Sequence, residues 1–307
     1  VAAVVVVLLA GLALAGNFLV DFALNPHAEF SMASTMRAGN VDGLDYAEAP
    51  KLDEAYAEEA ASWFDAERES VSHTADDGTE LLGWHLPGAE GGAYADDHTW
   101  AVVCHGYIGK PADMAKYAYH FSQLGMDVLM PAARGHERNE DAGLIQMGWG
   151  DARDLLGWVS DIVAADPDAK ILLFGTSMGG AEVMMASGMD GLADNVRLIV
   201  EDCGYTSVWD EFELQLGNVF GLPSFPILNA ADLACQLRAG YTFEAASAVE
   251  SLRSASVPML FIHGDADTFV SAVKEKLVVK GAGHGLSAST DPTLYWETVD
   301  AFVADNL

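Results

Sequence analysis

Cysteine and basic residues are both scarce in this chain of 307 residues. Three cysteines, Cys104, Cys203 and Cys235, are too few and too irregularly spaced for a disulfide framework. Cys104 and Cys203 fall in apolar, strand-like stretches and read as small buried apolar residues. There is no CxxC pair and no HExxH motif, and the nine histidines are scattered rather than paired at metal-ligand spacing, so neither a metal site nor a cofactor is expected. Fifteen Lys and Arg stand against 46 Asp and Glu, a formal charge of −31 that repels nucleic acid and anionic headgroups at long range. A nucleic-acid partner is not expected, and the charge reads first as a heavily solvated surface. No repeat divides the chain, and nothing in it announces an oligomeric state.

Long hydrophobic runs are also rare, with one exception. Val1 to Val20 is apolar apart from Asn17 and the glycines, and about 20 such residues suffice to cross a bilayer as a helix. Residues 1–24 therefore read as an N-terminal membrane anchor. The competing reading is a secretory signal, because Ala13-Leu14-Ala15 is an A-x-A cleavage pattern. Residues 25–69 form a polar lead-in in which Lys51 to Glu69 has helical composition, with Trp63 and Phe64 as packing anchors. Residues 70–307 carry the main domain. It opens with a hairpin, Val71 to Ala75 and Glu80 to Leu86 around Asp76-Asp77-Gly78.

Short apolar runs then alternate with helical stretches. Trp100 to Cys104, Asp127 to Met130, Lys170 to Phe174, Leu198 to Val200, Met259 to Ile262 and Leu277 to Val279 read as buried strands. Between them, Ala112 to Leu124, Ala152 to Ala165 and Met178 to Gly188 read as helices. This alternation predicts an α/β fold, a mostly parallel sheet with helices on both faces and functional groups at the carboxyl ends of the strands.

The motifs fall at those ends. Gly175-Thr176-Ser177-Met178-Gly179 sits between a strand and a helix, the context in which G-x-S-x-G presents a nucleophilic serine. His105-Gly106-Tyr107-Ile108-Gly109 follows an earlier strand, where an oxyanion-hole loop belongs, so the backbone amides of Tyr107 and Met178 are the expected donors. His105 reads as structural. His263-Gly264-Asp265-Ala266-Asp267 and Gly281-Ala282-Gly283-His284 close two further strands, giving Ser, Asp and His in the chain order of an α/β-hydrolase triad. The chemistry needs a base to take the serine proton and an acid to hold and charge-balance the imidazole.

With Arg134-Gly135-His136 and Glu201-Asp202-Cys203-Gly204-Tyr205-Thr206-Ser207 added, residues 70 to 305 resemble bacterial α/β-hydrolases, above all a membrane-anchored branch described as serine-aminopeptidase-like or esterase-like. The resemblance implies Asp267 as the acid, three residues after the glycine of the H-G-x-x-D element, with Asp265 bracing the turn. Two departures stand out. Pro131-Ala132-Ala133 precedes Arg134 where the family carries an Asp. Only Val270 to Lys276 separates the acid turn from the next strand, short for a parallel crossover, and a rebuilt acid loop would make Asp202 the fallback acid.

Residues of about 205–250 interrupt the alternation with Trp209, Phe212, Phe220, Leu222, Phe225 and Leu228, as a cap over the nucleophile would. The expected activity is hydrolysis of a carboxylic ester or related acyl bond of a small-molecule substrate through Ser177, His284 and Asp267. The alternatives are a peptidase or amidase with the same triad and a catalytically silent, membrane-tethered binding scaffold. The expected location is the cell membrane, or outside the cell if the signal is cleaved.

Overall fold

In a computed structural model, residues 2–37, 52–95, 97–267 and 277–307 are described. The chain begins with helix α1 (Ala2–Leu24), α2 (Met32–Arg37) and α3 (Glu54–Glu67), followed by strands β1 (Glu69–Thr74) and β2 (Glu80–Leu86). These two strands form the expected hairpin, in register from Glu69 opposite His85 to Thr74 opposite Glu80. The alternating part follows as β3 (Thr99–Cys104), α4 (Ala115–Gln123), β4 (Asp127–Pro131), α5 (Trp149–Ala165), β5 (Lys170–Thr176), α6 (Met178–Ser187) and β6 (Val196–Asp202). Next come α7 (Val208–Phe220), α8 (Ser224–Ala239) and α9 (Ala248–Leu252), then β7 (Met259–Gly264), β8 (Leu277–Val279), α10 (Ser287–Thr290) and α11 (Pro292–Asn306).

The eight strands make one sheet in the order β1-β2-β4-β3-β5-β6-β7-β8. The first two are antiparallel to their neighbours, and from β4 to β8 every pairing is parallel. Period-two alternation splits the strand residues between two cores. Ala101, Val103, Leu172 and Phe174 face one core with Phe121 of α4 and Tyr295 and Val299 of α11. Val102, Cys104, Ile171 and Leu173 face the other, with Leu155 and Trp158 of α5 and the buried residues of α6. Near-continuous apolar strands are what burial on both faces requires.

The helix expected over Ala112 to Leu124 is a 3-10 turn (Pro111–Met114) leading into α4. Helix α5 starts at Trp149, ahead of the expected Ala152. Gly148 adopts a left-handed conformation (φ 76°), and its N–H donates to Asp151 Oδ2 at 2.9 Å, which fixes the earlier start. Between β6 and β7 the aromatic-rich stretch is helical, with Ser207 capping α7 by accepting from Asp210 N–H. The shortened link expected at Val270 to Lys276 lies outside the described residues, but β8 still pairs in parallel with β7, Ile262 opposite Leu277. All three cysteines are buried and free.

Candidate active site

Ser177 occupies the turn between β5 and α6 at φ 54° and ψ −115°. A non-glycine residue holds such a backbone conformation only when its surroundings over-determine it. The surroundings do so by contact. A Cβ on Gly175 would lie 2.1 Å from the carbonyl oxygen of Gly179, and one on Gly179 would lie 2.3 Å from that of Cys104, so no side chain fits at either position. The Ser177 N–H donates to Asp202 O at 2.9 Å, pinning the turn to the neighbouring strand. Met178 is the first residue of α6, so its N–H is among those with no intrahelical acceptor and lies at the positive end of the helix.

The strand order brings the other two residues of the motif set to this turn. His284 Nε2 lies 2.9 Å from Ser177 Oγ, and His284 Nδ1 lies 2.9 Å from Asp267 Oδ2. The Asp267 carboxylate is fully shielded from solvent, and the same oxygen is 3.2 Å from Nε2 of buried His263. Asp265 Oδ1 accepts from the Gly281 N–H, joining the turn that carries the acid to the turn that leads to the histidine. Asp202 faces elsewhere. Its Oδ1 accepts from Ser287 Oγ at 3.1 Å, and burial pushes its carboxyl up to about 6. The short link thus leaves Asp267 against His284, because β7 and β8 lie side by side and deliver both turns to the same end of the sheet.

The loop after β3 runs across Ser177. A Cβ on Gly106 would meet the Ser177 side chain at 3.4 Å. Within this loop the Ile108 N–H donates to His136 Nε2 at 3.0 Å and the Gly109 N–H to Gly106 O at 3.1 Å, so two of its donors are turned inward. Buried His105 does the same for the next loop, accepting from the Ala133 N–H at 3.0 Å. An Nε2 that accepts requires the proton on Nδ1, and both rings donate from there to carbonyls, His105 to Gly106 O and His136 to Arg134 O. Burial holds His105 below the usual histidine range and His136 at about 3, so both are neutral braces.

The loop around Arg134, which lacks the preceding Asp that the resemblance implies, is held by other groups. Asn139 donates to Leu82 O and Ala132 O while accepting from the Leu82 N–H. Arg134 forms a two-pronged pair with Asp154 at 2.6 and 2.9 Å and a second with Asp77 at 2.7 and 3.2 Å. Planar guanidinium geometry suits such forks.

In front of Ser177 lies a narrow cavity bordered by Ala23, Met32, Tyr107, Tyr205, Phe212 and the buried pair Glu211 and Gln215. Gln215 Nε2 donates to Glu211 Oε1 at 2.9 Å. Burial pushes the Glu211 carboxyl up to about 8, so at neutral pH it is mostly protonated and places no full charge in the cavity. The inner end of α1 reaches this site, with Tyr107 Oη donating to Ala23 O at 2.6 Å.

Three contributors escape a reading by motif. His263 was legible as a motif residue but not as a partner of the acid, although its spacing of four from Asp267 was visible. Glu211 and Gln215 also stand four apart on one helix face, yet nothing marks that face as inward. The contribution of α1 carries no sequence signal, since an apolar helix reads the same whether it meets lipid or protein.

Comparison with known proteins agrees with this architecture. Residues 96–197 match the family model described as serine aminopeptidase, S33. An uncharacterized protein of Bacillus subtilis, YqkD, is 25% identical over 245 residues, covering 75% of this chain and 77% of that one. Among solved structures, an acylaminoacyl peptidase of Pyrococcus horikoshii superposes with a TM-score of 0.56 at 16% identity, over 78% of this chain and 42% of that one. This chain therefore spans less than half of that peptidase. The esterase Est2 of Thermogutta terrifontis, solved with butyrate bound, gives a TM-score of 0.56 at 18% identity, over 78% of this chain and 94% of that one.

Proposed function

We propose that this chain, an α/β-hydrolase by fold, is a serine esterase held in a membrane by its N-terminal helix. The observation that carries the reading is the unbroken hydrogen-bond path from Ser177 Oγ through His284 to Asp267, 2.9 Å at each step. In this mechanism Ser177 Oγ attacks the ester carbonyl as His284 Nε2 takes its proton. Asp267 holds the Nδ1–H tautomer and stabilises the imidazolium. The N–H groups of Met178 and Tyr107 stabilise the oxyanion, each worth roughly 3–4 kcal/mol where such donors have been removed. His284 then returns the proton to the leaving alcohol, and a water activated by the same imidazole releases the acid from the acyl-enzyme. Every step uses side chains and amides of this chain.

An ester is favoured over an amide by the uncharged, largely apolar cavity before Ser177, which suits an acyl group better than a charged amine. The family match to serine aminopeptidases supports a second reading, cleavage of an amide by the same residues. The intact path counts against a catalytically silent scaffold. The membrane assignment is supported by α1, whose 23 residues are long and apolar enough to span and lie mostly exposed along their first half. Fluorophosphonate labelling of the purified protein, with turnover of p-nitrophenyl esters and matched amides, tests the activity. Retention of the full chain in carbonate-washed membranes separates an anchor from a signal cleaved after Ala15.

A further inference from the structure

Helix α1 does more than an anchor requires. Its outer half is exposed, but from Gly16 onward it is built into the domain. A Cβ on Gly16 would lie 2.3 Å from Ala230 O, so α1 and α8 touch backbone to backbone. Gly16 meets Ala230 and Asp21 pairs with Arg238 at 2.6 Å, which makes the two helices run in the same direction. At its inner end two carbonyls left over by helix termination are taken up by the active-site region, Ala23 O by the Tyr107 hydroxyl and Leu24 O by the Ile145 N–H at 2.8 Å.

Between α1, α7 and α8 lies a second, narrow cavity lined almost wholly by apolar side chains such as Phe22, Phe220 and Leu228. It shares Ala23, Met32, Phe212 and Gln215 with the cavity that holds Ser177. The two spaces are thus neighbours that share lining side chains, of which Met32 is the most adaptable. The corner between α7 and α8 and the outer face of α8 leave Leu222, Phe225, Leu233 and Leu237 in the open, Phe225 at 76% and Leu237 at 79% exposure. Because α1 and α8 run in the same direction, this corner lies toward the protruding end of α1.

We propose that α1 is a substrate-binding helix. The apolar chain of a membrane-resident ester lies between α1, α7 and α8, and its carbonyl reaches Ser177 past Met32 and Phe212. This deepens the esterase reading and rests on it. Leu222 and Phe225, at that corner, then sit in the bilayer surface from which the substrate enters, and the acidic remainder of the domain stays in water.

The test uses the full chain reconstituted in phosphatidylcholine vesicles. The wild type is expected to prefer p-nitrophenyl decanoate to the acetate by at least tenfold in kcat/KM, and Leu19→Trp, which fills the cavity from α1, to lower that ratio at least tenfold. As a measurement that needs no variant, a decyl fluorophosphonate with a terminal diazirine is expected to cross-link, once bound to Ser177, to peptides from residues 16–24. Decanoyl glycerol carried in the vesicles is expected to turn over faster than the same ester presented in detergent micelles, which identifies the bilayer as its source. Acetate turnover without a decanoate preference, or cross-links that avoid α1, would overturn the proposal while leaving the esterase intact. Equal rates from vesicles and micelles would overturn delivery from the bilayer. No labelling and no turnover of any ester would remove both.

Discussion

Behind Ser177 the backbone is packed so closely that a single added methyl at Gly175 or Gly179 would overlap a carbonyl oxygen, whereas in front of it α1, α7 and α8 leave two narrow cavities bordered by side chains. On the esterase reading proposed above, the rear fixes a strained Ser177 and its amide donors before any substrate arrives, which is what electrostatic preorganisation requires. The front is built from side chains that can move, on helices touching few strands. The chemistry is assigned to the side that cannot adjust, and the choice of substrate to the side that can. Substitutions at the rear should therefore abolish turnover or folding, and those at the front should change preference, pH response or nothing.

The largest expected loss comes from His284→Ala, a fall of about 10⁶ in kcat, with Asp267→Asn costing about 10⁴, both read as ester turnover by folded protein. His263→Gln is expected to cost less, about tenfold to a hundredfold, because it shifts the acid without removing it. Equal losses from all three would show His263 acting in the chemistry itself.

Gly179→Ala is expected to lower stability by at least about 3 kcal/mol in denaturant unfolding, since its Cβ meets backbone that has no room to yield. A neutral result would contradict the rigid rear. The front offers a pH test. Burial raises Glu211 to about 8, as it raises Asp151 to about 7, so the folded state keeps protons that the unfolded chain releases. Stability is then full below the ordinary carboxylate range and declines as pH rises toward 8. Glu211→Gln is expected to flatten part of that decline and to raise the melting temperature at pH 8 by a few degrees, about 2–4 °C per kcal/mol in larger domains. Smallest of all, Val6→Ser in the exposed outer half of α1 is expected to leave the melting temperature of detergent-solubilised protein unchanged within about 1 °C.

The parts legible in the sequence are those fixed locally. The G-x-S-x-G turn, the strand runs and the order of Ser177, Asp267 and His284 each depend on a few consecutive residues whose conformations glycine or apolar run length dictates. Asp267 was selected through a family pattern, since spacing alone left the neighbouring Asp265 open; the structure puts Asp265 on the Gly281 N–H and Asp267 on the imidazole. The illegible parts are tertiary. A helix of composition like α1 gives no sign that Gly16 meets α8 or that Ala23 O receives the Tyr107 hydroxyl. The early start of α5 turns on a left-handed Gly148 that no periodicity reveals. Helix α11, which packs on the core around Phe121 and Phe174, was not read from the sequence: Asp291 and Pro292 supply a cap and a proline in its first turn, but its apolar residues are too evenly spread to mark a face.

The most direct test of the central claim is fluorophosphonate labelling of the full-length protein, followed by mass spectrometry of the modified peptide. The account predicts one adduct, on Ser177, lost in Ser177→Ala and reduced at least a thousandfold in rate in His284→Ala, alongside ester turnover by the wild type. A folded wild type that takes no label, or that labels at a residue other than Ser177, would contradict it.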